Sequence, residues 1–327
     1  MGPRRLLPLL SALALIAAAC ATSAPSPSPA GAICDTAPDS QVAATWGGAT
    51  DFPPTLTPVL VSNAITCGKA RILFLYLDSS NNVASAPDRK AMVAFYNLGR
   101  DPNKAVVTAE GQFVWTIKDE RGMYVVDVDL PEAGVWGAEF TWSKSIAGGD
   151  IQAETVRMTF SVLDAPTAIA VGQKSPASKT PTVADVGGDV TKISTDTDPD
   201  PAFYQTSVAD ALAAKKPFMV IFATPKFCQT AQCGPTLDMF KPIAAAHPDV
   251  TFINVEPYKL QDVDGQLQPV LSATQQLQAT DTTNEWGLLS EPWIFAVDRD
   301  GIVRGSYELT ITDAELNAIL PVIAAGG

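Results

Sequence analysis

The sequence predicts two units of different class: an all-β sandwich over 50–165 and an α/β unit over 200–327. Three observations predict this. The first unit carries short runs that alternate apolar and polar residues, the period of a half-buried strand. The second alternates continuous apolar runs with helical stretches, as a sheet covered on both faces requires. Between them, 166–199 is rich in Pro, Ser, Thr and Asp and reads as a linker.

In the first unit the strand runs are 71–77, 91–96, 112–117, 123–130, 135–142 and 155–162, separated by Gly, Asp, Asn and Pro clusters. Six or seven strands in about 110 residues fit a sandwich of immunoglobulin-like type. In the second unit, 207–216 reads as a helix with Ser207 as N-cap, Lys215 and Lys216 at its end and Pro217 as its stop. Buried strands follow at 218–223, 250–255 and 293–297, and a fourth strand at 303–307 after the turn from Asp298 to Gly301. Helices are predicted at 235–246 and at 313–324, the latter capped by Thr312. The stretch 260–289 reads as an insertion, either an exposed lid or an elaborated loop.

Composition removes several functions. Hydrophobic residues make up 46% of the chain, charged residues 17%, and the net charge is −13. Nucleic acid is excluded as a partner, because phosphate contacts need clustered Lys and Arg. The only histidine, His247, sits near a predicted helix end, where a basic group complements the helix dipole. A His-based metal site is therefore not available, and neither a metal nor any other cofactor is expected.

The N-terminus reads as an export signal over 1–19: Arg4 and Arg5, an apolar run over 6–19, then Ala17-Ala18-Ala19-Cys20. It resembles a bacterial lipoprotein signal, although Ala17 stands where that family favours Leu. The resemblance implies lipidation at Cys20, a Pro/Ser/Ala-rich tether over 20–49, and anchoring to the outer face of the cytoplasmic membrane. Ordinary cleavage after the Ala-x-Ala site, giving a secreted protein, is the alternative. Export places the remaining four cysteines where disulfides persist. Cys34 and Cys67 are expected to form a structural bridge, on their proximity in sequence.

Cys228 and Cys233 lie between a predicted strand and a predicted helix. A thiolate is the nucleophile of disulfide exchange, and a helix N-terminus favours it. Three features of 200–325 resemble the thioredoxin-like family. They are the strand leading into Cys228-Gln-Thr-Ala-Gln-Cys233-Gly-Pro235, the Glu291-Pro292 step before a strand, and the hairpin around Asp298 to Gly301. The resemblance implies a thioredoxin-like α/β fold and a cis-proline, Pro292, beside the cysteines. It also implies a thiol–disulfide oxidoreductase acting on thiols or disulfides of exported proteins. The spacing departs from the family's Cys-x-x-Cys. In one regular helix the two Cα atoms would lie about 8–9 Å apart, too far to bridge. An irregular loop, with the helix starting near Gly234, makes a disulfide feasible.

Several readings stay open. Cys228 is the attacking thiol and Cys233 the resolving one, or Cys233-Gly-Pro-Thr236 replaces the usual motif. The pair is otherwise a structural disulfide in a non-catalytic binding protein. Cys-x4-Cys also resembles some peroxiredoxins. That family carries Thr three residues before the cysteine and an Arg downstream; here Thr224 stands four before Cys228, and the only later arginines, Arg299 and Arg304, fall in a predicted turn or edge strand. A copper-chaperone reading fails, because no histidine follows His247.

Overall fold

A computed structural model describes residues 31–47 and 53–326. The described residues are mostly β, with 37% strand and 17% helix. After a one-turn helix α1 (Ala43–Trp46) come seven strands: β1 (Leu56–Leu60), β2 (Gly68–Asp78), β3 (Lys90–Asn97), β4 (Val107–Ile117), β5 (Arg121–Leu130), β6 (Gly134–Ser145) and β7 (Ile151–Val162). All pair antiparallel in one sheet of order β1-β2-β5-β4-β3-β6-β7.

This corrects the expected two-sheet sandwich. β6 and β7 are each 12 residues long and β2 and β4 each 11. Strands of that length accumulate enough twist to roll one sheet nearly closed. At the seam, the Thr55 backbone N–H and hydroxyl donate to Glu154 of β7 at 3.0 and 2.8 Å. Alternate residues point inward, as the sequence pattern requires: Ile72, Phe74 and Tyr76 from β2, Val93 and Phe95 from β3, Tyr124 and Val126 from β5, Trp136, Ala138 and Phe140 from β6. The Cys34–Cys67 bridge ties the leading segment to the start of β2.

The second half contains α2 (Val208–Ala213), β8 (Phe218–Phe222), α3 (Cys233–Ala246), β9 (Thr251–Val255), a hairpin of β10 (Leu260–Val263) and β11 (Gln266–Pro269), α4 (Asp281–Glu285), β12 (Trp293–Val297), β13 (Val303–Glu308) and α5 (Asp313–Ala325). A four-stranded sheet has the order β13-β12-β8-β9; β8 and β9 are parallel and the other pairs antiparallel. Thr312 caps α5 in a reciprocal capping box with Glu315.

The thioredoxin-like α/β fold expected here is also corrected. The described residues are mostly strand, and of their five α-helices only α3 and α5, of 14 and 13 residues, exceed six residues. One face of the four-stranded sheet is covered by α3 and α5, through Leu237, Phe240, Leu316 and Ile323. The other face is closed by the six-residue α2, by Trp286 and by irregular chain at Ala168 and Ile169. The apolar runs of β8 and β12 correctly announce two-sided burial. They do not say that a single short helix, a tryptophan and irregular chain cover the second side.

The two halves are in direct contact. Outward residues Leu73, Met123 and Val125 of the rolled sheet pack on Leu309. Arg71 makes a two-pronged ion pair with Glu315, at 2.5 and 3.1 Å, and donates to the Thr310 carbonyl at 2.9 Å. The connection over 166–199 runs along the second sheet, with Gly172 N–H bonded to the Val303 carbonyl and Val183 and Val190 packed against the core.

Candidate functional site

β8 ends at Phe222, and the chain then passes through buried Ala223 and Thr224 into a turn closed by Phe227 N–H on the Thr224 carbonyl. Cys228 follows, partly exposed, while Cys233 opens α3 and is fully buried. The two sulfurs are bonded, with Cα atoms 6.0 Å apart. Ala231 makes this possible. At φ +60° it takes a left-handed conformation and folds the chain back between the cysteines. The helix begins one residue before the predicted Gly234.

The Cys233 backbone N–H, at the N-terminus of α3, lies 3.2 Å from Cys228 Sγ. The Thr230 hydroxyl lies 3.3 Å from the same sulfur and donates to the Glu291 carbonyl at 3.0 Å. An N–H at a helix N-terminus favours negative charge on the sulfur it faces.

The Glu291–Pro292 peptide bond is cis and leads into β12 beside this loop. The buried Glu291 side chain lies against the cysteines. Glu291 Oε1 accepts from Gln229 N–H at 2.9 Å, and Oε2 accepts from the Tyr258 hydroxyl at 2.5 Å. Ligand atoms of Cys228, Cys233 and Glu291 all lie within 4.8 Å of one another. Burial and the neighbouring Glu291 push the Tyr258 phenol well above its ordinary value, so it remains a donor.

Beneath the loop lies a second acid. Glu256 follows β9, and its Oε1 accepts from Thr195 N–H and from the Thr195 hydroxyl at 2.6 and 2.7 Å. Its Oε2 is sealed from solvent and unpartnered. Burial lifts its carboxyl to about 7, with Thr224 and Thr195 pulling the other way. The Thr195 hydroxyl also accepts from Lys226 N–H at 3.3 Å, so this acid is wired to the segment that carries Cys228.

The rolled sheet reaches the site as well. Arg121, at the start of β5, donates to the Thr230 carbonyl at 3.3 Å. His247 is the C-cap of α3. Arg304 pairs with buried Asp298, and Arg299 donates to the Ala324 carbonyl, so both are engaged away from the cysteines. Burial alone would push the Asp298 carboxyl up, but the Ile302 N–H and Arg304 hold it below its usual range. The 260–289 stretch forms the β10–β11 hairpin, which touches Lys226 through the Leu267 carbonyl, and α4, which leads to Trp286.

Of the predicted site residues, the structure brings together Cys228, Cys233 and Pro292, and it joins Cys34 to Cys67 elsewhere. Cys20 and the signal segment lie outside the described residues. Sequence reasoning passed over Glu291, Tyr258 and Glu256. The available signal was a carboxylate directly before the expected cis-proline, and another directly after a buried strand. No protein-family model matches the chain and no curated protein matches it, so the chemistry of this site rests on its own geometry.

Proposed function

We propose that this chain is an exported thiol–disulfide exchange protein whose working bond is Cys228–Cys233. One observation carries the reading: a partly exposed sulfur, Cys228, faces a helix N-terminal N–H and is bonded to a buried partner sulfur. In the reducing direction, the Cys228 thiolate attacks one sulfur of a client disulfide. A mixed disulfide forms and the client's other sulfur leaves as thiolate. Cys233 then loses its proton to water and attacks Cys228 Sγ, which releases the second client thiolate and restores the Cys228–Cys233 bond. The client gains two electrons and the dithiol loses two, and the reverse sequence oxidises a client dithiol. Glu291 positions the loop, through Gln229 N–H and through its own carbonyl on Thr230.

The non-standard Cys-x4-Cys spacing favours a second reading, in which the bridge is purely structural and the chain is a binding protein. Titration of the bridge against glutathione or dithiothreitol separates the two. A potential above about −300 mV marks an exchangeable bond, and a lower one a structural bridge. Insulin reduction should be present in the native chain and lost in both Cys228→Ser and Cys233→Ser.

We also propose that Cys20 carries a lipid anchor. Two disulfides, and no helix long and apolar enough to cross a membrane among the described residues, are compatible with an exported protein. Lipidation adds an acyl mass to the mature N-terminal peptide, which Cys20→Ala should lose.

A further inference from the structure

We propose that the reduced site is a metal site, in which Cys228, Cys233 and Glu291 bind a thiophilic divalent cation such as Zn2+ and the disulfide is its off state. The inference rests on the proposed exchange chemistry, since the sulfurs become ligands only once the bridge opens. It uses no histidine, and so escapes the exclusion that the composition places on a His-based site.

The geometry points there directly. The two sulfurs and a carboxylate oxygen lie within 4.8 Å of one another. A tetrahedral zinc centre has Zn–S distances of about 2.3 Å and Zn–O distances of about 2.0–2.2 Å, so its ligand atoms are separated by about 3.5–4 Å. Opening the bridge moves the sulfurs from bonding distance toward that separation. Electrostatics supplies the second argument. Two thiolates crowded against the buried Glu291 carboxylate repel it and one another, and a divalent cation is the partner that removes the repulsion. Glu291 is already oriented for the role. Each of its oxygens accepts one hydrogen bond, from Gln229 N–H and from the Tyr258 hydroxyl, and keeps a free lone pair. Those two donors are the outer partners that hold a ligating carboxylate in place.

A dithiol donor passes two electrons and two protons to the bridge and leaves as a disulfide. The cation then replaces the two thiol protons, which go to solvent, and two metal–sulfur bonds form. Glu291 supplies the third ligand and water the fourth.

The test loads the full-length chain, oxidised or reduced, with zinc alone after the donor is removed. Free thiols are counted first, and bound metal and released protons are then measured. The reduced chain should take up one zinc with release of protons, and the oxidised chain of identical fold should take up none. Glu291→Gln should weaken binding at least tenfold, and Tyr258→Phe about tenfold or more through loss of the orienting hydrogen bond. Cobalt in place of zinc should give sulfur-to-metal charge-transfer absorption only in the reduced chain. A bridge that resists the donor, seen at the thiol count, overturns the exchange reading and this one with it. A bridge that opens without zinc uptake overturns the metal site alone. Equal zinc affinity in the native chain and Glu291→Gln removes Glu291 from the ligand set and overturns the three-ligand proposal.

Discussion

Raising the pH from about 5 to about 8 should weaken the fold through Glu256, and Glu256→Gln should remove that part of the loss. The carboxyl ordinarily titrates near 4.5 and is lifted to about 7 by burial. Below the unfolded value both states hold the proton, and the stabilisation is fully present. Between the two values the folded chain keeps a proton that the unfolded chain has released, so stability falls as pH rises. Above about 7 both states are ionised and the loss is complete. At 1.36 kcal/mol per unit, the ceiling is about 3 kcal/mol, and the residue's partial exposure places the effect below that ceiling. The charge is costly because Oε2 is sealed without a donor while Oε1 takes both Thr195 bonds. Urea unfolding of the oxidised native chain and of Glu256→Gln, at both pH values, isolates the effect as a difference of differences. The variant should match the native chain near pH 5 and exceed it near pH 8. Identical pH slopes in the two proteins would refute the reasoning.

Other perturbations test the frame around the site. Arg71→Met should cost about 2–3 kcal/mol in the same unfolding assay, because it leaves Glu315 and the Thr310 carbonyl without their partner between the two halves. Cys34→Ser with Cys67→Ser should cost about 3–4 kcal/mol, from loss of a bridge spanning 33 residues, and should leave the Cys228–Cys233 potential unchanged.

The period-two alternation of β2, β3, β5 and β6 was readable in the sequence because inward residues such as Phe74 and Tyr124 recur at every second position. β1 escaped notice. It is five residues long and contains Pro58, which suits the edge position it occupies. The rolling of seven strands into one sheet was not readable, because alternation marks which face a residue takes but not which strand it pairs with. β3, for example, lies between β4 and the non-sequential β6. In the second half the helix caps at Ser207 and Thr312 are local chemistry and were read correctly. The α/β expectation failed at Trp286, whose burial against Phe222 and Phe295 is a long-range event. The cysteine pair was legible as a pair. The left-handed turn at Ala231 and the Glu291 carboxylate beside the sulfurs depend on backbone reversal and on a contact across about sixty residues, neither of which leaves a periodic trace.

The seam between the rolled sheet and the cysteine-bearing half bears on how this molecule can be cut. A fragment beginning at residue 200 would lose Val183, Val190 and Ile193 from its core and Ser178 from the Trp286 indole. It would also expose Leu309 and strip the Thr230 carbonyl of the Arg121 guanidinium. The cysteine loop is therefore held partly by residues more than a hundred positions upstream. Excision would yield not a minimal version of the protein but a different, looser one.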